Sequence, residues 1–206
     1  MKNLVNVVHP HTYKMEGDIG NLKLVIGPSE ANNDRDEMVV SFLENAKQEG
    51  SKILVGFEHV ENPIGLAARH MSLKYDPRYK FLTDEKLANF YTSCFGQPIP
   101  DERPEKIDEE IWKYLQENII SKSKLEEMSA GFERIFFIGG IFENCLGNYA
   151  HYFSQNYSRN GDKLFCIEDL CVSFDKEEKE RIKKELLKDG INFTSYRESL
   201  ELVKSP

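Results

Sequence analysis

Three features of the 206-residue chain predict an α/β protein, a three-layer α/β/α arrangement with a mostly parallel, Rossmann-like sheet of five or six strands. The first is a set of short unbroken apolar runs, at 53–57 (ILVGF) and 135–138 (IFFI) and from Leu164 onward, suited to strands buried on both faces. The second is that stretches with helical spacing alternate with these runs. The third is an abrupt change of period at Gly139-Gly140, where a strand-like run gives way to residues spaced for a helix.

In chain order, residues 4–8 (LVNVV) read as a first strand, ended by His9-Pro10-His11. A brief apolar run at 22–26 is closed by Gly27-Pro28. Residues 36–48 have helical spacing at Val39, Val40, Leu43 and Ala46 and stop at Gly50, and the run at 53–57 follows as a second buried strand. Strand, helix and strand make one βαβ unit, whose crossover is expected to be right-handed. The stretch from 58 to 118 contains five prolines between Pro63 and Pro104, which require irregular connections. Within it, residues 83–91 read as a helix capped by Thr83, and 107–117 as a helix that starts at or just before Asp108. Ile119-Ile120 reads as a small strand and 125–132 as a short helix. No repeat, low-complexity tract or linker divides the chain, so the expectation is a single domain over 1–206 with a divergent insert at about 58–118.

Composition excludes several function classes. The formal net charge of −8 argues against general binding to nucleic-acid phosphates or anionic membranes. No apolar run is long enough to span a bilayer, and no signal peptide precedes the first strand. The four cysteines, at 94, 145, 166 and 171, lack the paired spacing of a zinc site and indicate no disulfide, so a reducing cytoplasm is the simplest setting.

The chemistry centres on 134–157, RIFFIGGIFENCLGNYAHYFSQNY. Cys145, Tyr149 and Tyr152 fall on one helical face, so Cys145 is expected in the first turn of a helix that follows a buried strand. There the macrodipole favours thiolate, and the unpaired N–H groups of the turn suit an oxyanion. The ordinary alternative is a small core cysteine. A flavodoxin-like nucleotide binder fits less well, because Gly139-Gly140 lacks the spaced glycines of a dinucleotide loop.

The run Gly139-Gly140-Ile141-Phe142-Glu143-Asn144-Cys145-Leu146 resembles the nucleophile segment of the isochorismatase-like cysteine hydrolases, the superfamily that includes nicotinamidases. Residues 163–169 (KLFCIED) resemble that family's next strand, and a helix at 176–188 and a strand at 190–194 complete the pattern over about seventy residues. The resemblance implies hydrolysis of a C–N bond in a small amide by a Cys nucleophile, helped by an Asp at the end of the first strand and a Lys between the second and fourth strands. It also implies a homo-oligomer and a small-molecule substrate. Cys145 matches the nucleophile. Val8 or His9 occupies the Asp position, and if His9 does, an imidazole stands in for the carboxylate. Lys122 or Lys113 is the lysine, with Lys122 in the better local context. Glu58, His59, Glu61 and His70 partly echo a nicotinamidase metal loop, but the Asp two residues before His59 is replaced by Phe57. No metal or cofactor is therefore expected. The set read for catalysis is Cys145, Lys122 and His9, and a catalytically degenerate binding protein of the same fold is the alternative.

Overall fold

The computed structural model describes residues 2–10, 13–16, 23–26, 30–58, 87–93, 95–157 and 163–204, with side chains at all of these except 13–16, 23–26, 30 and 31. Its elements are β1 (Asn3–Val8), β2 (Tyr13–Glu16), β3 (Lys23–Ile26), α1 (Glu30–Gln48), β4 (Lys52–Glu58), β5 (Ala88–Thr92), α2 (Glu109–Asn118), α3 (Lys122–Ser129), β6 (Arg134–Ile141), α4 (Gly147–Tyr157), β7 (Lys163–Val172), α5 (Lys176–Lys188), β8 (Ile191–Thr194) and α6 (Tyr196–Lys204). A π-helical turn, Phe142–Leu146, joins β6 to α4.

Among the described residues, six strands form one sheet in the order β5-β4-β1-β6-β7-β8, and every pairing in it is parallel. β2 and β3 form a separate antiparallel pair. The burial patterns explain the all-parallel pairing. β1 is buried at all six positions and β6 at seven of its eight, so neither strand has a face suited to water. Alternate residues feed two cores. Leu4, Val8, Leu54, Ile135 and Phe137 pack with α4 through Tyr149, Ala150 and Phe153 on one side. Val5, Val7, Ile53, Val55, Phe136 and Ile138 pack with Val39, Phe42 and Leu43 of α1 and Val203 of α6 on the other. These are the three layers that the sequence predicts, with a sheet of six strands.

Along the sheet, sequence order runs outward from β1 to β4 and β5 on one side, and from β6 to β7 and β8 on the other. The winding reverses between β1 and β6. In open α/β sheets the crevice at the strand C-termini beside such a reversal is where ligands bind.

Helix ends follow their capping residues. Asp108 accepts from Glu110 N at 2.8 Å and opens α2, and Asp175 accepts from Glu177 N and Glu178 N and opens α5. Ser121 accepts from Lys124 N at 3.3 Å, so α3 begins three residues before the position expected from apolar spacing alone.

Two expectations are corrected. Within the stretch read as a helix at 83–91, the described part from Ala88 is strand β5, which pairs with β4 from Leu54↔Ala88 to Glu58↔Thr92. The aromatic pair Phe90-Tyr91 and β-branched Thr92 suit a pleated surface, and the open edge of β4 takes them up. Ile119-Ile120 is not a strand of the sheet. It is an extended, buried connection in which Ile120 N donates to Tyr91 O and Ile120 O accepts from Ile99 N, at 2.9 and 3.0 Å. Much of the expected insert, including His59, Glu61 and His70, lies outside the described residues. Among the described residues, no helix is long and apolar enough to cross a membrane.

Candidate active site

β1, β4, β5 and β6 deliver four side chains to one place at their C-terminal ends. His9 follows β1, Glu58 closes β4, Thr92 closes β5, and Cys145 lies in the π-helical turn after β6. All four are buried, with exposures of 0, 7, 1 and 3 %.

Close backbone approach makes this possible. Gly139 has φ of +110°, and a β-carbon there would lie 2.3 Å from the Val8 carbonyl oxygen. One at Gly140 would lie 2.9 Å from the same oxygen and 3.3 Å from His9 Cβ. The two glycines therefore let the end of β6 press against the end of β1, which brings His9 and the turn that follows β6 to the same crevice. His9 itself has φ of +43°, an uncommon conformation for a residue with a β-carbon. Its N–H donates to Gly56 O at 2.8 Å, which fixes it to β4.

The π-helical turn is similarly enclosed. The Gly147 N–H reaches back to the carbonyls of Phe142 and Asn144, and no side chain caps the turn at Ile141. π-Turns of this kind are frequent at functional sites. Two residues before Cys145, Glu143 Oε1 accepts from the N–H groups of Phe174 and Asp175, each at 2.8 Å, and from the Ser173 hydroxyl. The turn is thereby tied to the loop between β7 and α5. On its other side, the chain after β5 approaches so closely that a β-carbon on Gly96 would lie 2.6 Å from Cys145 O.

Within the cluster, Cys145 Sγ is 4.0 Å from Glu58 Oε1, and His9 Nδ1 is 3.5 Å from the same oxygen. His9 Nε2 is 3.0 Å from Thr92 Oγ1. The Thr92 hydroxyl faces two carbonyl oxygens, Ser93 O at 3.0 Å and Phe57 O at 3.4 Å, both of which only accept. The direction of the His9–Thr92 hydrogen bond follows the imidazole tautomer, and in either tautomer Nδ1 is the ring nitrogen turned toward Glu58. Burial lowers His9 to about 3 and so keeps the imidazole neutral, and burial raises the Glu58 carboxyl above its ordinary value.

The sequence-derived residues fall in two places. His9 and Cys145 share Glu58 as a neighbour. Lys122 is the first residue of α3, and its carbonyl accepts from Tyr157 Oη at 3.0 Å. Tyr157 closes α4, whose 11 residues carry it about 16 Å from the turn that holds Cys145. There the Asp101 carboxyl is held below its ordinary value mainly by the Ser123 N–H, and the Lys122 charge adds to this. Lys113 is exposed on α2. In chain order β5 is the third strand of the main sheet, where the resemblance calls for a lysine, and its end is occupied by Thr92. Sequence reasoning missed Thr92 because it lay just beyond a stretch read as helix. It noted Glu58 only as part of a metal-loop echo, although Glu58 ends an apolar run, as the resemblance expects of the first-strand Asp.

A parallel sheet wound in this order defines an open α/β fold, with a buried thiol, carboxyl and imidazole gathered at its switch point, the place where such folds bind ligands. No family model matches the sequence, and no curated protein matches it. Solved structures do match. A pyrazinamidase of Pyrococcus horikoshii, in complex with zinc, superposes with a TM-score of 0.54 at 15 % identity over 95 % of this chain and 99 % of its own. An isochorismatase family protein from Desulfovibrio vulgaris gives 0.55 at 12 % identity over 99 % of each chain. The YcaC gene product of Escherichia coli, an octameric hydrolase of unknown specificity, gives 0.53 at 11 % over 97 % of this chain and 78 % of its own. The chain therefore has an isochorismatase-like fold, and at this sequence distance the likeness shows the fold alone.

Proposed function

We propose that the protein is a cysteine hydrolase that cleaves a C–N bond of a small amide, with Cys145 as nucleophile and Glu58 as its proton acceptor. The observation that carries this reading is the 4.0 Å approach of Cys145 Sγ to Glu58 Oε1 inside a buried crevice at the strand C-termini. Glu58 takes the place of the family's missing first-strand Asp. Its raised pKa brings it nearer the range in which a general base is effective, an arrangement worth about 10²–10⁴ in rate.

In the proposed reaction the Cys145 thiol passes its proton to Glu58 as the sulfur attacks the amide carbon. Burial raises the Glu58 carboxyl, which favours its holding that proton while the sulfur is bonded to carbon. The N–H groups that open the uncapped π-helical turn receive the oxyanion. Glu58 returns its proton to the leaving amine, and water hydrolyses the thioester to the acid and free thiol. His9 is a positioning residue here, and the reading gives Lys122 no part.

One observation favours the second reading, a degenerate fold that only binds ligands: a neutral His9 supplies no positive charge to hold a thiolate. Mass spectrometry of the intact chain after mixing with small amides and activated acetyl esters separates the two. The hydrolase reading expects a transient acyl adduct on Cys145 that Cys145→Ala abolishes. Tight binding of those compounds with no adduct and no amine release would establish the binding protein instead.

A further inference from the structure

The same corner of the fold has a property that hydrolysis does not use. Three electron-pair donors converge: a His9 ring nitrogen, a Glu58 carboxylate oxygen and Cys145 Sγ, all lying within 4.8 Å of one another. We propose that these three residues form a binding site for a divalent transition-metal ion of the zinc class, and that occupancy of the site blocks Cys145 as a nucleophile.

The donor set selects the ion. One imidazole, one carboxylate and one thiolate suit a borderline cation such as Zn²⁺, whereas Mg²⁺ and Ca²⁺ require oxygen ligands. Metal–ligand bonds of about 2.0–2.3 Å put neighbouring ligand atoms of a tetrahedron roughly 3.3–3.8 Å apart. The observed Nδ1–Oε1 and Sγ–Oε1 separations are 3.5 and 4.0 Å, so the cluster is nearly that size already.

The surroundings also suit a metal. Thr92 Oγ1 lies 3.0 Å from His9 Nε2, the ring nitrogen remote from Glu58, and can accept its proton. With the proton on Nε2 toward Thr92, Nδ1 offers its lone pair to the ion, and such an outer hydrogen bond on the remote ring nitrogen is the usual support of a metal-bound histidine. The ligands come from the ends of three adjacent parallel strands, held in register by the β1–β4 and β1–β6 pairings, so little has to be ordered on binding. Three protein ligands leave a fourth position for water or an external group. A sulfur electron pair given to the ion is unavailable to attack a carbonyl, and the thiol proton leaves to buffer as the ion binds.

Co²⁺ titration of the chelator-stripped full chain tests this, because a thiolate–cobalt bond shows itself as a near-ultraviolet charge-transfer band without any turnover. The expected result is a band that saturates at one equivalent, is displaced by Zn²⁺ and is absent in Cys145→Ser. His9→Ala and Glu58→Gln weaken binding, and Thr92→Val does so by about 10–100-fold. The Cys166→Ala/Cys171→Ala double variant retains the band. If His9→Ala does not fold by circular dichroism, Cys145→Ser and Glu58→Gln decide. Zn²⁺ also protects Cys145 from iodoacetamide. A missing band, a band that survives Cys145→Ser, or alkylation of Cys145 unaffected by Zn²⁺ would overturn the proposal. Since absorption and alkylation need no substrate, the metal site stands or falls separately from the hydrolase reading.

Discussion

Glu58 Oε1 stands between two partners, 4.0 Å from Cys145 Sγ and 3.5 Å from His9 Nδ1, and it couples the residue after β1 to the turn after β6. The coupling predicts that Glu58 governs thiol reactivity. Glu58→Gln keeps the shape and removes the proton acceptor, so hydrolysis should fall by about 10²–10⁴ and Cys145 alkylation should slow while the melting temperature changes little. Steady-state rates and timed labelling check this. Unchanged labelling would remove Glu58 from the mechanism.

Cysteine reactivity should follow position. Cys145 is expected to react with iodoacetamide before Cys166 and Cys171. The Cys166 thiol is fully buried and pushed well up, first by its hydrogen bond with Cys171 and then by burial, so it should react last. Peptide mass spectrometry after brief alkylation at neutral pH gives the order directly. Equal labelling of all three would leave Cys145 an ordinary core thiol.

The sheet was legible in the sequence because fully buried parallel strands leave continuous apolar runs, as at 53–57 and 135–138. β5 was not, since a strand that among the described residues pairs on one side only needs no such run, and 88–92 (ANFYT) carries little periodicity. The site was legible in part. Cys145 is marked locally by Gly139-Gly140 and the change of period. Glu58 and Thr92 join it only through the strand order β5-β4-β1-β6, a long-range property that no local pattern encodes.

The buried hydrogen bond from Tyr149 Oη to Asn6 Oδ1, 3.0 Å long, fixes α4 to the centre of β1. Tyr149→Phe leaves that buried oxygen without its donor and is expected to cost about 1–3 kcal/mol. Denaturant unfolding monitored by fluorescence measures it. A loss below a few tenths of a kcal/mol would show that the site relaxes around the missing hydroxyl.

Gly139 should tolerate no side chain. Its φ of +110° and the 2.3 Å that would separate an added β-carbon from Val8 O act together, so Gly139→Ala is expected to cost more than about 2 kcal/mol. Because the displaced strand end leads to His9, the variant should also lose Cys145 reactivity at temperatures where it remains folded. Thermal melts and labelling at low temperature separate the two effects.

Burial of His9 also makes stability depend on pH. His9 titrates near 6.5 in an unfolded chain but near 3 when buried, so between these values the unfolded state binds more protons than the native one. Stability therefore rises with pH across this window: the His9 contribution is neutral above about 6.5 and becomes increasingly unfavourable as pH falls toward 3. Glu58 acts in the opposite sense. Its pKa is raised from 4.5 by burial, so above 4.5 the unfolded state gives up its proton more readily and stability falls with pH until the native carboxyl also ionises. The two trends overlap, and the difference between wild type and His9→Asn isolates the imidazole. Urea unfolding from pH 7 to pH 4 is expected to show wild type losing stability more steeply than His9→Asn. Parallel curves would mean that His9 finds a partner for its charge on protonation, and the neutral imidazole facing Glu58 would have to be given up.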